Sequence, residues 1–364
     1  KTSPIGIGFV GAGWMGSTLM QRIAERSDAH ITALHQRSEE NAKNALSRLG
    51  LSPQLYSRDF DAMLANPAVD AVFLCSPNSS HGPQSIAALE AGKHVFCEKP
   101  CATLHEDFLQ QLKLAKAKPE LITYVNYLMN FDTMEQRISN MTKNGDFGTI
   151  TQIQVNYRHP INIDGDKAWK LSGEIMGDAI GMGIIHALSV MLNIMAANNT
   201  RPVSVFTTSN NSSVRGFEVP AIYNIQISFD NGAAGFCFGN VDQANGYDAY
   251  HNIHGTDGGL IFDSYLDRPD KVRLWSNLTT DGKWIHPLDA TRCPPQNLWP
   301  EDTTTPDSGD VVKHQTGACV DHFMTCVKTG EQSFLSFENS ASTAEIGWAA
   351  LQSAQSGQPV ALPL

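Results

Sequence analysis

Positive charge is scarce in this chain: among 364 residues, 26 lysines and arginines face 37 acidic side chains, leaving a net charge of -11. That balance repels polyanions, so neither nucleic acid nor an anionic membrane is expected as a partner. No apolar run reads as long enough to span a bilayer. The seven cysteines are an odd number, which does not build a disulfide framework, and a reducing, cytoplasmic location is expected. The chain opens on Lys1 rather than Met, which leaves room for an export leader removed before this point. The twelve histidines are dispersed; His251 and His254 lack cysteine or carboxylate partners at familiar spacing, Cys97 and Cys101 stand alone, and no metal is assigned. No internal repeat is present.

What is there is ordinary globular material, 41% hydrophobic and 17% charged, in a chain longer than one core usually supports, so two domains are expected. Up to about residue 125 short apolar strands alternate with helices: strands at 5–10, 30–34, 71–75, 94–97 and 121–125, helices at 17–25, 39–49, 59–66 and 83–91. That rhythm is the signature of a parallel sheet with crossover helices. Thr103-Leu104-His105-Glu106 has the spacing of a capping box. Beyond residue 125 the pattern changes to a helix at 131–143, a strand at 150–157, a long helix at 178–197 and then alternating strands, with Asp230-Asn231-Gly232 as a hairpin turn. The second domain is therefore read as α+β with a large, mostly antiparallel sheet. A Pro-, Thr- and Asp-rich loop covers 294–310, and helices near 311–327 and 340–353 close the chain. The boundaries are 1–125 and 126–364, with the helix near 340–353 expected to pack back on the first domain.

Two motifs carry the chemistry. Gly11-Ala12-Gly13-Trp14-Met15-Gly16 follows a strand and opens a helix, the context in which a glycine triplet means dinucleotide binding. Gly11 makes the tight turn, Gly13 lets the backbone approach a pyrophosphate, and Gly16 lets helix and strand pack closely, with the pyrophosphate meeting free N–H groups at the helix start. Downstream, Glu98-Lys99-Pro100 leaves a buried strand at the sheet edge where open α/β folds bind ligands.

With these pieces in this order, the chain resembles the glucose–fructose oxidoreductase/inositol dehydrogenase family, often called Gfo/Idh/MocA, over nearly its whole length. The landmarks are the glycine triplet, Ser76-Pro77-Asn78-Ser79-Ser80-His81, the run from Ala91 to Pro100 ending in Glu98-Lys99-Pro100, Gly145-Asp146-Phe147-Gly148, and Gly255-Thr256-Asp257-Gly258-Gly259. The resemblance implies a Rossmann domain, a C-terminal sheet domain used for homo-oligomer contacts, and oxidation or reduction of a carbon held over a nicotinamide. Four positions depart from the family pattern. The acidic residue after the second strand is Gln36, followed by Arg37; the family's arginine after the last strand of the first domain is Asn130; the Asp four residues before the family's His, here His186, is Met182; and an Asp three residues after it is Ser189.

Lys99 is the expected acid/base, because an alcohol oxidation releases a proton as well as a hydride and a desolvated lysine can exchange it. Glu98 is placed against a cofactor ribose. His186 has two readings: a core histidine satisfied by a carbonyl, or, as the resemblance implies, a substrate partner opposite Lys99. Asp178 lies eight residues before His186, too far along a helix for a direct bond, and is read as a helix cap or a pocket residue. Trp169 and Lys170, with Asn126 and Tyr127, are candidates for a sugar-pocket wall; a solvated loop with a tucked indole is the alternative for the first two. The cofactor set is Gly11, Gly13, Trp14, Met15, Gly16, Gln36, Arg37, Ser76, Pro77, Asn78, His81, Glu98 and Lys99. Neutral Gln36 and basic Arg37 permit NADP and lean toward it, whereas Glu39 and Glu40 lean toward NAD.

The expected activity is hydride transfer between NAD or NADP and a hydroxyl or keto carbon of a sugar, sugar derivative or cyclic polyol. The rivals are a glycosidase that uses tightly held NAD in a transient oxidation, elimination and reduction cycle, and a non-catalytic nucleotide-binding regulator.

Overall fold

The computed structural model describes residues 4–210, 213–243, 246, 248–266, 268–306 and 315–364. They form two compact units. The first gathers residues 4–127, Glu174–Gly177 and Gln315–Ala341, and the second most of the rest, including Leu128–Gly173 and Ser342–Leu364.

In the first unit six strands form one sheet: β1 (Ile5–Val10), β2 (Ala29–His35), β3 (Tyr56–Ser57), β4 (Ala71–Leu74), β5 (His94–Cys97) and β6 (Thr123–Val125). Their order is β3-β2-β1-β4-β5-β6 and every pairing is parallel. A right-handed crossover through a helix is the normal way to join such strands, and it reverses direction beside β1. Register across β1, β4, β5 and β6 is set by one aromatic row, Phe9, Phe73, Phe96 and Tyr124, each paired with the next. The rings touch at 4.9, 4.4 and 4.6 Å between centroids. Phe323 meets Phe73 and Phe96 edge-on at 5.4 and 5.5 Å. It comes from the helix Thr316–Thr329, which returns to this unit late in the chain. The helix Ala341–Ser356 clusters with the second unit from Ser342 on.

The aromatic row has a consequence for the edge of the sheet. One residue beyond it, Val10, Leu74, Cys97 and Val125 stand level. Glycine turn, Ser76 loop, Glu98-Lys99 and Asn126 therefore all leave the sheet at the same height. Backbone hydrogen bonds carry this alignment beyond the strands: Cys75 N–H donates to Val10, Glu98 N–H to Leu74 and Asn126 N–H to Cys97, at 2.8 to 2.9 Å.

Nine strands build the sheet of the second unit: β7 (Ile150–Val155), β8 (Tyr157–Arg158), β9 (Pro202–Asn210), β10 (Ile222–Phe229), β11 (Ala234–Asn240), β12 (His251–Gly255), β13 (Gly258–Phe262), β14 (Val272–Ser276) and β15 (Val360–Ala361). The order is β14-β13-β12-β7-β11-β10-β9-β15, with β8 beside β11. Pairings are antiparallel except where β11 meets β7 and β8. The hairpin turn between β10 and β11 falls at Asp230-Asn231-Gly232, with Gly232 at φ +85°. Glycines at 235 and 239 let the apolar helix Ile185–Ala197 sit close on one face: a Cβ at Gly239 would meet Ile184 at 2.4 Å, and one at Gly235 would meet Met191 at 2.8 Å.

Three sequence expectations need correction. Ile180–Ala197 is apolar and long enough for a membrane span, with mean hydropathy 1.8, but 78% of it is buried in the second unit, as a core helix is. Its start is not α-helical, since Ile180–Ile184 forms a π-helical turn. At 103–106 no capping box forms; the helix begins at His105 with Leu104 at its N-cap and no side-chain cap. Of the helix expected at 311–327 and the loop at 294–310, residues 307–314 lie outside the described residues.

Candidate functional site

In the first unit the candidate cofactor site is built from backbone. Gly11 turns at φ +87°, and a Cβ there would strike the Cys75 carbonyl at 2.6 Å. At Gly16 a Cβ would strike the Gly11 carbonyl at 2.2 Å. Gly13 differs from both: a Cβ there meets nothing within 4 Å, so the glycine is not required by the protein's own packing. It is the N-cap of the 11-residue helix Trp14–Ala24, whose N-terminal N–H groups and dipole favour an anion. This backbone cradle fits a dinucleotide pyrophosphate. Trp14 is exposed and Met15 half-buried beside it. The Gln36 carbonyl oxygen accepts from Ala12 N–H at 2.6 Å and thereby braces the cradle. Arg37 is exposed, and Ser38 caps the helix Glu39–Arg48 by accepting from Asn41 N–H at 3.2 Å.

Around β5 and β6 the side chains take over. Glu98 is buried, and Asn126 donates to its Oε1 at 2.6 Å. Burial raises the Glu98 carboxyl, against the opposing pull of Lys99 and Asn126. The Lys99 ammonium is lowered by burial and held up in part by Glu98. An amine whose pKa is lowered by burial gives up its proton more readily than an exposed lysine does. Tyr127 is 1% exposed in the core of this unit, where burial keeps its phenol protonated.

The loop after β4 holds its polar groups inward. Ser76 Oγ donates to Gln84 at 2.6 Å, Pro77 leads into a single 3-10 turn, and buried Asn78 donates to the Met176 carbonyl at 2.8 Å. His81, expected among the cofactor ligands, is 1% exposed, with one ring nitrogen 2.7 Å from the Pro100 carbonyl and the other 2.8 Å from that of Ser76.

In the second unit His186 follows the π-helical turn and is 6% exposed, with the Tyr157 ring 6.1 Å away. Tyr157 has no signal in the sequence; burial pushes its phenol well up, so it stays protonated and able to donate. Asp178 accepts from Gly181 N–H at 2.7 Å, the capping role read from its spacing, and burial raises its carboxyl. Trp169 and Lys170 sit half-buried in the 3-10 segment Gly165–Leu171, with the ammonium 5.9 Å from the indole centroid.

Asn130 and Ser189, two of the departures from the family pattern, prove to be neighbours. Asn130 donates to Ser189 Oγ at 2.9 Å and accepts from Asn193 at 2.5 Å. A neutral hydrogen-bonded set thus stands where an arginine and an aspartate were expected. His251 also gains a partner its sequence neighbourhood lacks: Glu135 at 2.6 Å, both side chains buried.

Comparison with known proteins agrees with this architecture. A family model described as an oxidoreductase family with an NAD-binding Rossmann fold matches residues 5–127, and the GFO/IDH/MocA C-terminal domain matches 136–261. The uncharacterized oxidoreductase YrbE of Bacillus subtilis is 26% identical over 75% of this chain and 77% of its own length. Inositol 2-dehydrogenase of Corynebacterium glutamicum is 32% identical over 42% of this chain and 45% of its own length. A levoglucosan dehydrogenase, solved with NADH and levoglucosan, superposes over the full length of both chains with a TM-score of 0.81 at 20% identity, a likeness of fold.

Proposed function

We propose, from the premise that this chain belongs to the GFO/IDH/MocA family of oxidoreductases with an NAD-binding Rossmann domain, that it interconverts a hydroxyl and a keto carbon on a sugar, sugar derivative or cyclic polyol. The carrying observation is Lys99, its ammonium lowered by burial, delivered by the strand register to the same sheet edge as the glycine cradle. A nicotinamide dinucleotide, when bound, supplies the hydride acceptor or donor. The cradle at residues 11–16 holds its pyrophosphate through N–H groups of the helix start. Lys99 Nζ takes the hydroxyl proton in the oxidative direction and returns it in the reductive one. Glu98, fixed by Asn126, faces that amine and accepts from a ribose hydroxyl of the bound cofactor. His186 positions the substrate hydroxyl, and Trp169 and Lys170 supply an aromatic face and a donor for a sugar ring.

The cofactor preference leans to NADP. With one lone pair of its carbonyl oxygen engaged by Ala12, Gln36 can still offer its amide N–H donors. Arg37 adds a cation, and Lys43 pairs with Glu39, which offsets the nearest opposing charge. A 2′-phosphate suits that donor set. The uncovered face of the second sheet carries half-exposed Phe206, Phe236 and Phe238, which supports homo-oligomer contacts there; light scattering of the purified protein tests this, and a monomer would refute it. The activity itself is tested by following cofactor reduction with inositols, aldoses and anhydrosugars. Net reduction with at least one polyol supports the reading, and no turnover across the panel with either cofactor overturns it.

A further inference from the structure

Three buried polar side chains of the first unit have no part in the chemistry above: His81 at 1% exposure, and Ser85 and Gln111 at 0%. They come from two helices, His81–Glu90 and His105–Ala117. Their hydrogen bonds converge on the residues just after Lys99. His81 Nδ1 lies 2.7 Å from the Pro100 carbonyl, and Gln111 donates to the Cys101 carbonyl at 2.8 Å. The Gln111 amide also donates to Ser85 Oγ, and Ser85 donates to the main-chain carbonyl of His81 at 2.7 Å. The remaining ring nitrogen of His81 lies 2.8 Å from the Ser76 carbonyl. Apolar side chains would fill this space without the desolvation cost, so a polar network here, with Gln111 Oε1 left without a partner among the described residues, specifies a geometry more than it adds stability.

We infer that His81, Ser85 and Gln111 form a clasp that fixes the main chain of Lys99, Pro100 and Cys101 against the Ser76 loop, with His81 as the positioning residue that sets where the Lys99 amine sits. This rests on the reading of Lys99 as the proton carrier and adds residues that touch neither substrate nor cofactor. Neutral imidazole has one N–H and donates to one of the two carbonyls; imidazolium donates to both. Burial pushes His81 down to about 4, the two carbonyls pull it up, and the Lys99 charge pushes it down again. The ring is therefore neutral at working pH, and Glu98 is the charged group that faces Lys99 in turn.

Competitive acetylation across a pH series, read by mass spectrometry on the peptide carrying Lys99, tests the clasp without any substrate. In the wild type Lys99 is expected to titrate below the exposed lysines of the same digest. In His81→Phe, which keeps the ring shape and removes both ring nitrogens, and with them the one N–H donor, the midpoint moves up by at least about half a unit as the amine regains water. Leu89→Ala, a buried truncation on the same helix, lowers the melting temperature and leaves the midpoint in place. An unmoved midpoint in folded His81→Phe, or an equal movement in Leu89→Ala, overturns the proposal. Should His81→Phe not fold, His81→Asn and His81→Gln decide. Asn retains the Pro100 side of the ring and Gln the Ser76 side, so Asn is expected to shift Lys99 less, and equal midpoints reject the positioning role. Absence of turnover by the wild type on the polyol panel would count against the functional reading alone, because the labelling result stands without it.

Discussion

The two units place their candidate site residues by different physical means. In the first, main-chain register does the placing: an aromatic row aligns four parallel strands, and whatever follows each strand arrives at one sheet edge. In the second, His186 follows a π-helical turn with half-buried Asp178 at its start, and a neutral side-chain set joins 130, 189 and 193. A register-built site tolerates change in most side chains and little change in backbone. A site built by side chains is retuned by substitution, which fits the position of three of the four family departures, at 130, 182 and 189, in the second unit.

The largest expected effects are at the glycine turn, where two neighbouring glycines should fail in opposite ways. Gly13→Val has room for its side chain within the protein and is expected to fold normally while losing measurable cofactor binding by calorimetry. Gly16→Val would drive a Cβ into the Gly11 carbonyl and is expected to lose at least about 1–3 kcal/mol of stability in chemical denaturation. If Gly13→Val binds cofactor as the wild type does, the cradle lies elsewhere.

Next in size is the neutral pair in the second unit. Asn130→Arg alone places a charge in a buried position and is expected to cost at least about 2 kcal/mol, while Asn130→Arg with Ser189→Asp recovers a large part of that loss. A double variant no more stable than the single one would show that these positions do not trade as a pair.

His186→Ala is expected to lower turnover by about tenfold to a hundredfold and to raise the Michaelis constant for substrate, with cofactor affinity unchanged. Unaltered steady-state kinetics would return His186 to the role of a core histidine. The smallest effect is at Gln36: exchanging its amide for the carboxylate in Gln36→Asp repels a 2′-phosphate and should move the ratio of NADP to NAD affinity toward NAD by about tenfold. A constant ratio would place discrimination at Arg37 or Ser38.

Legibility in the sequence follows the same division. Buried parallel strands are short apolar runs punctuated by Gly, Pro and Asn, so β1, β4 and β5 are readable, as is the Lys99 motif at the end of β5. Helix starts are less so: Trp14–Ala24 begins three residues earlier than its apolar pattern because Gly13 serves as N-cap, and 103–106 matches a capping box that does not form. A π-helical turn has no signature in a 3.6-residue period, so the entry to His186 was invisible. Contacts between distant residues are lost in a single chain; Glu135 and His251 are 116 residues apart. Asn130 and Ser189 were each visible as departures, and their simultaneous loss of opposite charges was the one signal of contact. Cofactor-loop spacing likewise pointed to His81, but only the fold shows its ring spent on Ser76 and Pro100.

The proposed role of Lys99, a proton carrier at a cofactor edge built by register, is the one on which the other roles depend. The most direct measurement is the pH dependence of polyol oxidation by the wild type and by Lys99→Met, which keeps the length of the side chain and removes the amine. Because burial lowers the Lys99 pKa, wild-type turnover should rise with pH through a limb below the ordinary lysine value of about 10.4. Lys99→Met should lose that limb and at least about a hundredfold in turnover, with cofactor affinity within about twofold of wild type. Full turnover with the same limb in Lys99→Met would contradict the account.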